Sequence, residues 1–134
     1  MKLEDVEGIG PSKATKLRKA GVRSTAALLT QGATAKGREA ISQASGLASS
    51  SILEWVNRVD LMRIKGVSTQ YSDLLEAAGV DSPAELARRN AANLVKAFEA
   101  ANNGRRRLVQ RVPSEKVVAD WIAQAKKLPK LVKH

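Results

Sequence analysis

Residues 3–22 read Leu3-Glu4-Asp5-Val6-Glu7-Gly8-Ile9-Gly10-Pro11-Ser12-Lys13-Ala14-Thr15-Lys16-Leu17-Arg18-Lys19-Ala20-Gly21-Val22. Leu3 and Val6, then Ala14, Leu17 and Ala20, recur every three residues, as on one face of a helix. Between the two sets, Gly8 and Gly10 flank Ile9. Glycine supplies positive φ and lets another backbone come close. The stretch therefore predicts two short helices joined by a tight Gly-Ile-Gly turn, with Ile9 pointing back into the core. Pro11 suits a first helical turn and Gly21 a C′ position, which bounds a helix over residues 12–20.

The same pattern returns 58 residues later. Leu61, Ile64, Gly66, Val67, Leu75 and Ala78-Gly79-Val80 take the places of Leu3, Val6, Gly8, Ile9, Leu17 and Ala20-Gly21-Val22. Farther on the register becomes 66, after an insertion around residues 102–113. There Ile52, Trp55, Val56, Val59 and Met62 match Val118, Trp121, Ile122, Ala125 and Leu128, both sets on one helical face. Two related halves follow, about 1–60 and 61–134, the second closed by a basic tail over about 126–134. Ser82-Pro83-Ala84-Glu85 reads as a capping box, Thr34 and Asn90 as N-caps, and Pro129 as the stop after Leu128. No stretch alternates with period two over more than a few residues. The expected fold is all-α, with about eight to ten short helices. Halves this small bury little alone, so one shared core is expected.

The first turn also predicts chemistry. With a helix starting at Pro11, the amides near Ser12 and Lys13 face outward beside the glycines. A helix amino end with bare backbone donors is an anion site. Lys13 and Lys16 add positive charge there. The segment resembles the helix-hairpin-helix motif of DNA repair, replication and recombination proteins. That resemblance implies a Gly-hydrophobic-Gly hairpin that holds the sugar-phosphate backbone without reading bases, often as a pair gripping two strands across the minor groove. With Ile52–Val59, residues 60–67 and residues 120–129 included, nearly the whole chain is similar to a mostly bacterial domain-of-unknown-function family of tandem helix-hairpin-helix motifs.

The second turn, Gly66-Val67-Ser68, departs from the pattern. Ser68 can cap its own helix and so compete with an external phosphate. Its helix carries Asp73 and Glu76 where the first carries Lys13, Lys16, Arg18 and Lys19. The first hairpin is thus the expected phosphate site, and the second is structural or meets a protein.

Charge agrees. The chain of 134 residues has 23 Lys plus Arg against 13 Asp plus Glu, net +10. Residues 1–50 carry net +4, residues 51–104 net −1, and residues 105–134 net +7. Such a surface suits a polyanion. Arg105-Arg106-Arg107, followed by Arg111, is either a second phosphate contact or a solvated loop. Lys126, Lys127, Lys130 and Lys133 read as non-specific charge. Trp55 and Trp121 sit on matching apolar stripes and read as core rather than as base-stacking platforms.

Other classes are excluded. At 43% hydrophobic and 27% charged the chain has material for a core and for a solvated surface, so it is not a disordered chain. No apolar run is long enough to span a bilayer, and no membrane partner is expected. Residues 1–5 show no apolar signal segment, so a cytoplasmic protein is expected. There is no cysteine, and His134 is the only histidine, which removes thiolate and His-cluster chemistry. No paired-carboxylate site, Walker loop or nucleophile elbow appears, so no enzyme and no cofactor are expected. The function read from the sequence is sequence-independent binding of double-stranded DNA through Gly8, Ile9, Gly10, Ser12, Lys13, Lys16 and Arg105–Arg107, with RNA as a variant. The alternative is a protein-interaction scaffold of the same fold without nucleic acid.

Overall fold

Short polar side chains mark where the chain turns helical. In the computed structural model, which describes residues 1–103 and 108–134, six helices begin on a side-chain cap. Ser24 Oγ accepts from the Ala27 amide at 3.0 Å, Thr34 Oγ1 from Gly37 at 3.0 Å, and Ser82 Oγ from Glu85 at 3.1 Å. Ser68, Asn90 and Ser114 do the same for Tyr71, Asn93 and Val117. Each such cap is worth about 1 kcal/mol. The reciprocal half of the expected box at Ser82 is replaced: the Glu85 carboxylate pairs with Arg89 at 3.1 Å.

Among the described residues there are eight α-helices and no strand. A 3-10 turn over Leu3–Asp5 precedes α1, Gly10–Lys19. Then follow α2, Thr25–Gln31; α3, Ala35–Ser45; and α4, Ser49–Leu61. The order continues with α5, Thr69–Ala77; α6, Pro83–Ala87; α7, Ala91–Asn102; and α8, Glu115–Lys127. The all-α class stands, and α8 stops before Pro129 as its ring requires.

The chain divides into two compact units, residues 1–60 with 130–134, and residues 61–129. In the first, α1 packs on the 3-10 turn and on α3, and α2 packs on α3. Leu3, Leu17, Leu28, Ile52 and Trp55 are buried there. In the second, α8 packs on α6 and α7, and α7 on α5. Leu61, Leu75, Leu94, Phe98, Val118 and Trp121 belong to one buried cluster drawn wholly from residues 61–125. This half therefore has a buried apolar cluster of its own.

Both units end their first helix alike. At Ala20-Gly21-Val22, Gly21 N–H reaches Arg18 O at 3.0 Å and Val22 N–H reaches Leu17 O at 2.9 Å. At Ala78-Gly79-Val80, Gly79 reaches Glu76 O at 2.9 Å and Val80 reaches Leu75 O at 2.8 Å. This is the Schellman arrangement, with glycine at φ 92° and 89° taking the left-handed position.

The basic tail differs from its expectation. Lys126 and Lys127 lie in the last turn of α8, which suits the helix dipole. Residues 130–134 are built into the first unit. Val132 is 1% exposed. Lys133 N–H donates to Ala33 O at 2.7 Å, and the buried Arg38 donates to Lys133 O at 2.9 Å and to Gly32 O at 2.8 Å. His134 Nε2 stands 2.8 Å from Asn57 Oδ1.

Candidate nucleic-acid interface

The first hairpin is built by inward hydrogen bonds. Val6 N–H donates to Leu3 O and Ile9 N–H to Val6 O, both at 3.1 Å. Ile9 itself is 2% exposed, so its side chain anchors the turn in the core as its place between glycines predicts. The same geometry corrects one expectation: the Ile9 amide is committed to Val6 O, so it is not a donor for a ligand.

The two glycines have different roles. Gly8 has φ 92°, and a Cβ there would stand 3.1 Å from Nε1 of the buried Trp55. Gly8 is thus glycine for the fold, because the indole edge occupies the space. Gly10 has φ 62°, and a Cβ there would meet nothing within 4 Å. Gly10 opens onto empty space, where an external group can approach.

Gly10 is also the first residue of α1. The helix has no side-chain cap, and its N-cap position is Ile9. A helix leaves its first amides without intrahelical partners. Here the Ile9 amide is used within the turn and Pro11 has none. Gly10 and Ser12 remain as the backbone donors of this end. Ser12, Lys13 and Lys16 are exposed. Lys13 lies back over the hairpin, with Nζ 3.4 Å from Gly8 O and 5.6 Å from the centroid of the Trp55 ring. Its charge is thereby held at the turn, as a cation over an aromatic face.

Arg18 is spent elsewhere. Its guanidinium makes a two-point pair with the Glu4 carboxylate, Nη1 to Oε2 at 3.1 Å. The bond to Arg18 holds the Glu4 carboxyl below its ordinary pKa, and the same bond raises that of Arg18. Of the four basic residues of this helix, Lys13, Lys16 and Lys19 carry the exposed charge.

The second hairpin has the same frame and different chemistry. Ile64 N–H donates to Leu61 O and Val67 N–H to Ile64 O, again at 3.1 Å. Gly66 has φ 98°, and a Cβ there would stand 3.0 Å from Nε1 of Trp121. Trp55 and Trp121 are 3% and 1% exposed, core residues as their stripes predict. Each indole faces the first glycine of its own hairpin, a pairing that sequence reasoning missed. The matched offsets of 58 and 66 were the only signal for it.

The outward positions diverge. Ser68, in the place of Gly10, caps α5 by accepting from the Tyr71 amide at 3.3 Å. Tyr71 replaces Lys13 and rests on Trp121, ring centroids 5.3 Å apart. Leu74 replaces Lys16 and is buried, and Glu76 replaces Arg18. The loop closes by Lys65 N–H donating to Gln124 Oε1 at 2.9 Å and Gln124 Nε2 donating to Lys65 O at 3.1 Å.

Gly8, Ile9, Gly10, Ser12, Lys13 and Lys16 therefore lie on one hairpin, with Gly8, Ser12, Lys13 and Lys16 exposed, Gly10 half-buried with open space where a Cβ would stand, and Ile9 buried. Arg105, Arg106 and Arg107 lie outside the described residues. No helix among the described residues is long and apolar enough to cross a membrane.

No curated protein and no solved structure matches the chain. Residues 7–128, from just before the first hairpin to the end of the last apolar stripe, match the family model for a domain of unknown function, DUF4332, and the chain belongs to that family.

Proposed function

We infer that this protein is a non-enzymatic, sequence-independent DNA-binding domain that grips the phosphate backbone of a duplex with its first hairpin, in the manner of a helix-hairpin-helix motif. One observation carries the reading. The amino end of α1 is uncapped and open over Gly10, while the matching end of α5 is closed by Ser68. A phosphate oxygen at that opening meets the Gly10 and Ser12 amides and the positive end of the helix dipole. Lys13 and Lys16 supply charge, and the net +10 of the chain draws a polyanion from a distance. None of these donors reads a base edge, so binding is independent of sequence.

A fluorescence anisotropy titration tests this, with blunt duplex, junction, single-stranded DNA and RNA over a range of salt. Counterion release makes log K fall with log salt by about 0.9 per phosphate neutralised. Replacing both Lys13 and Lys16 by Glu removes two such contacts, so the slope becomes shallower by about 1.8 as affinity drops. Duplex binding that the double variant leaves intact overturns the reading. The second reading is a protein scaffold, and the acidic, self-capped second hairpin favours it. Absence of nucleic-acid binding in every arm of the titration would select it.

A further inference from the structure

The second unit has a cleft that the hairpin reading does not use. Its volume is about 390 Å³, within the range of small-ligand pockets. Gln70 and Tyr71, from the first turn of α5, form one side. Leu108, Val109, Gln110 and Arg111 form the other.

Both walls are held from behind. Tyr71 rests on the buried Trp121, which itself stacks edge-on to Phe98 at 6.5 Å. Segment 108–109 is pinned by Asn102, whose buried Oδ1 accepts from both the Leu108 and Val109 amides at 2.9 Å. Val109 is 5% exposed and floors the cleft. Three polar groups at the mouth, on Gln70, Tyr71 and Arg111, are open to a ligand. Among the described residues, no protein group bonds the Gln70 amide, the Tyr71 hydroxyl or the Arg111 guanidinium. Gln70 and Arg111 are exposed.

An aromatic ring, an apolar wall, a side-chain amide and an arginine are the complement of one nucleotide. A base has a flat face for Tyr71 and an edge for an amide. A phosphate fits the planar fork of arginine. We propose that this cleft binds a single unpaired nucleotide, its base against Tyr71 and the Leu108–Val109 wall and its phosphate on Arg111. The proposal rests on the nucleic-acid reading for the class of polymer, though not on the first hairpin. The phosphate sits on Arg111, not on the amino end of α5, which Ser68 has already closed. An acidic peptide would satisfy Arg111 yet leave the Tyr71 ring without a flat partner.

The test is calorimetric titration of the full chain with thymidine monophosphate and with a tetramer of deoxythymidine, run beside the blunt duplex. Both single-stranded ligands should bind. Tyr71→Ala should weaken the tetramer about 5- to 150-fold, the range for losing one base stack. Tyr71→Phe keeps the ring and should stay within about twofold of the parent. Arg111→Gln should weaken both ligands and make the salt slope shallower by about 0.7, the single-strand value. If Tyr71→Ala does not fold, Arg111→Gln and Gln70→Ala, both on exposed residues, carry the test. Binding of monophosphate and tetramer that these variants leave unchanged overturns the proposal, as does a glutamate-rich peptide that displaces the monophosphate at equal concentration. Monophosphate binding that the variants abolish, with no binding of blunt duplex, supports the cleft and removes the first-hairpin reading.

Discussion

Alanine at Gly8 should destabilise the first unit far more than alanine at Gly10, although the two glycines are two residues apart in one turn. Both have positive φ, 92° and 62°, and left-handed backbone costs an L-residue about 1–2 kcal/mol. At Gly10 that is the whole effect, since a Cβ there meets open space. At Gly8 the Cβ arrives 3.1 Å from Trp55 Nε1, inside ordinary contact distance. Trp55 is 3% exposed, so the indole must shift within the core to make room. Overpacking of that kind adds about 1–3 kcal/mol. Gly8→Ala should therefore cost about 2–5 kcal/mol and Gly10→Ala about 1–2 kcal/mol. For a unit of this size each kcal/mol lowers Tm by about 4–8 °C, so thermal unfolding followed by circular dichroism resolves the pair. Gly8→Ala with Trp55→Phe completes a double-mutant cycle. Removing Nε1 opens the space, and the coupling should relieve about 1 kcal/mol of the sum. Equal destabilisation by the two glycine variants, or a cycle without coupling, would refute the claim that Trp55 excludes a side chain at Gly8 and that nothing excludes one at Gly10.

Ser68→Ala should cost about 1 kcal/mol, measured by urea unfolding, because the Tyr71 amide loses its acceptor. The Glu4–Arg18 pair should be visible in pH-dependent stability. Folding lowers the Glu4 pKa from its ordinary 4.5, so the stabilisation is present above that value and lost as pH falls through the folded one. Arg18→Gln should flatten the acid limb of a stability-versus-pH curve, and an unchanged limb would dismiss the pair. Val132→Ala should destabilise the first unit by about 1–3 kcal/mol and speed exchange of the Lys133 amide, which now donates to Ala33 O. Unchanged exchange of that amide would mean the terminal segment is held by its backbone bonds alone.

Much of this protein is local, and local physics is written in short-range sequence. The stripes at Ile52–Val59 and Val118–Ala125 mark apolar faces that are buried, because a helix brings residues three and four apart together whatever lies elsewhere. The caps at Thr34, Ser68, Ser82 and Asn90 follow from a side chain reaching an amide three residues on. The recurrence at 58 residues announced two units of one plan. Tertiary structure alone decided the rest, because it depends on neighbours distant in sequence. Gly8 and Gly10 are the same residue in the same turn, and only the arrival of Trp55 on one of them separates a packing glycine from an open one. Arg18 looked like free charge until folding brought Glu4 to it. The Ile9 amide looked available until the turn closed on Val6 O, and residues 130–134 read as a basic tail until Arg38 and Ala33 took up the Lys133 backbone. In each case the chain supplied a group able to bond, and the fold determined whether its partner was another part of the protein or the solvent side where a ligand can come.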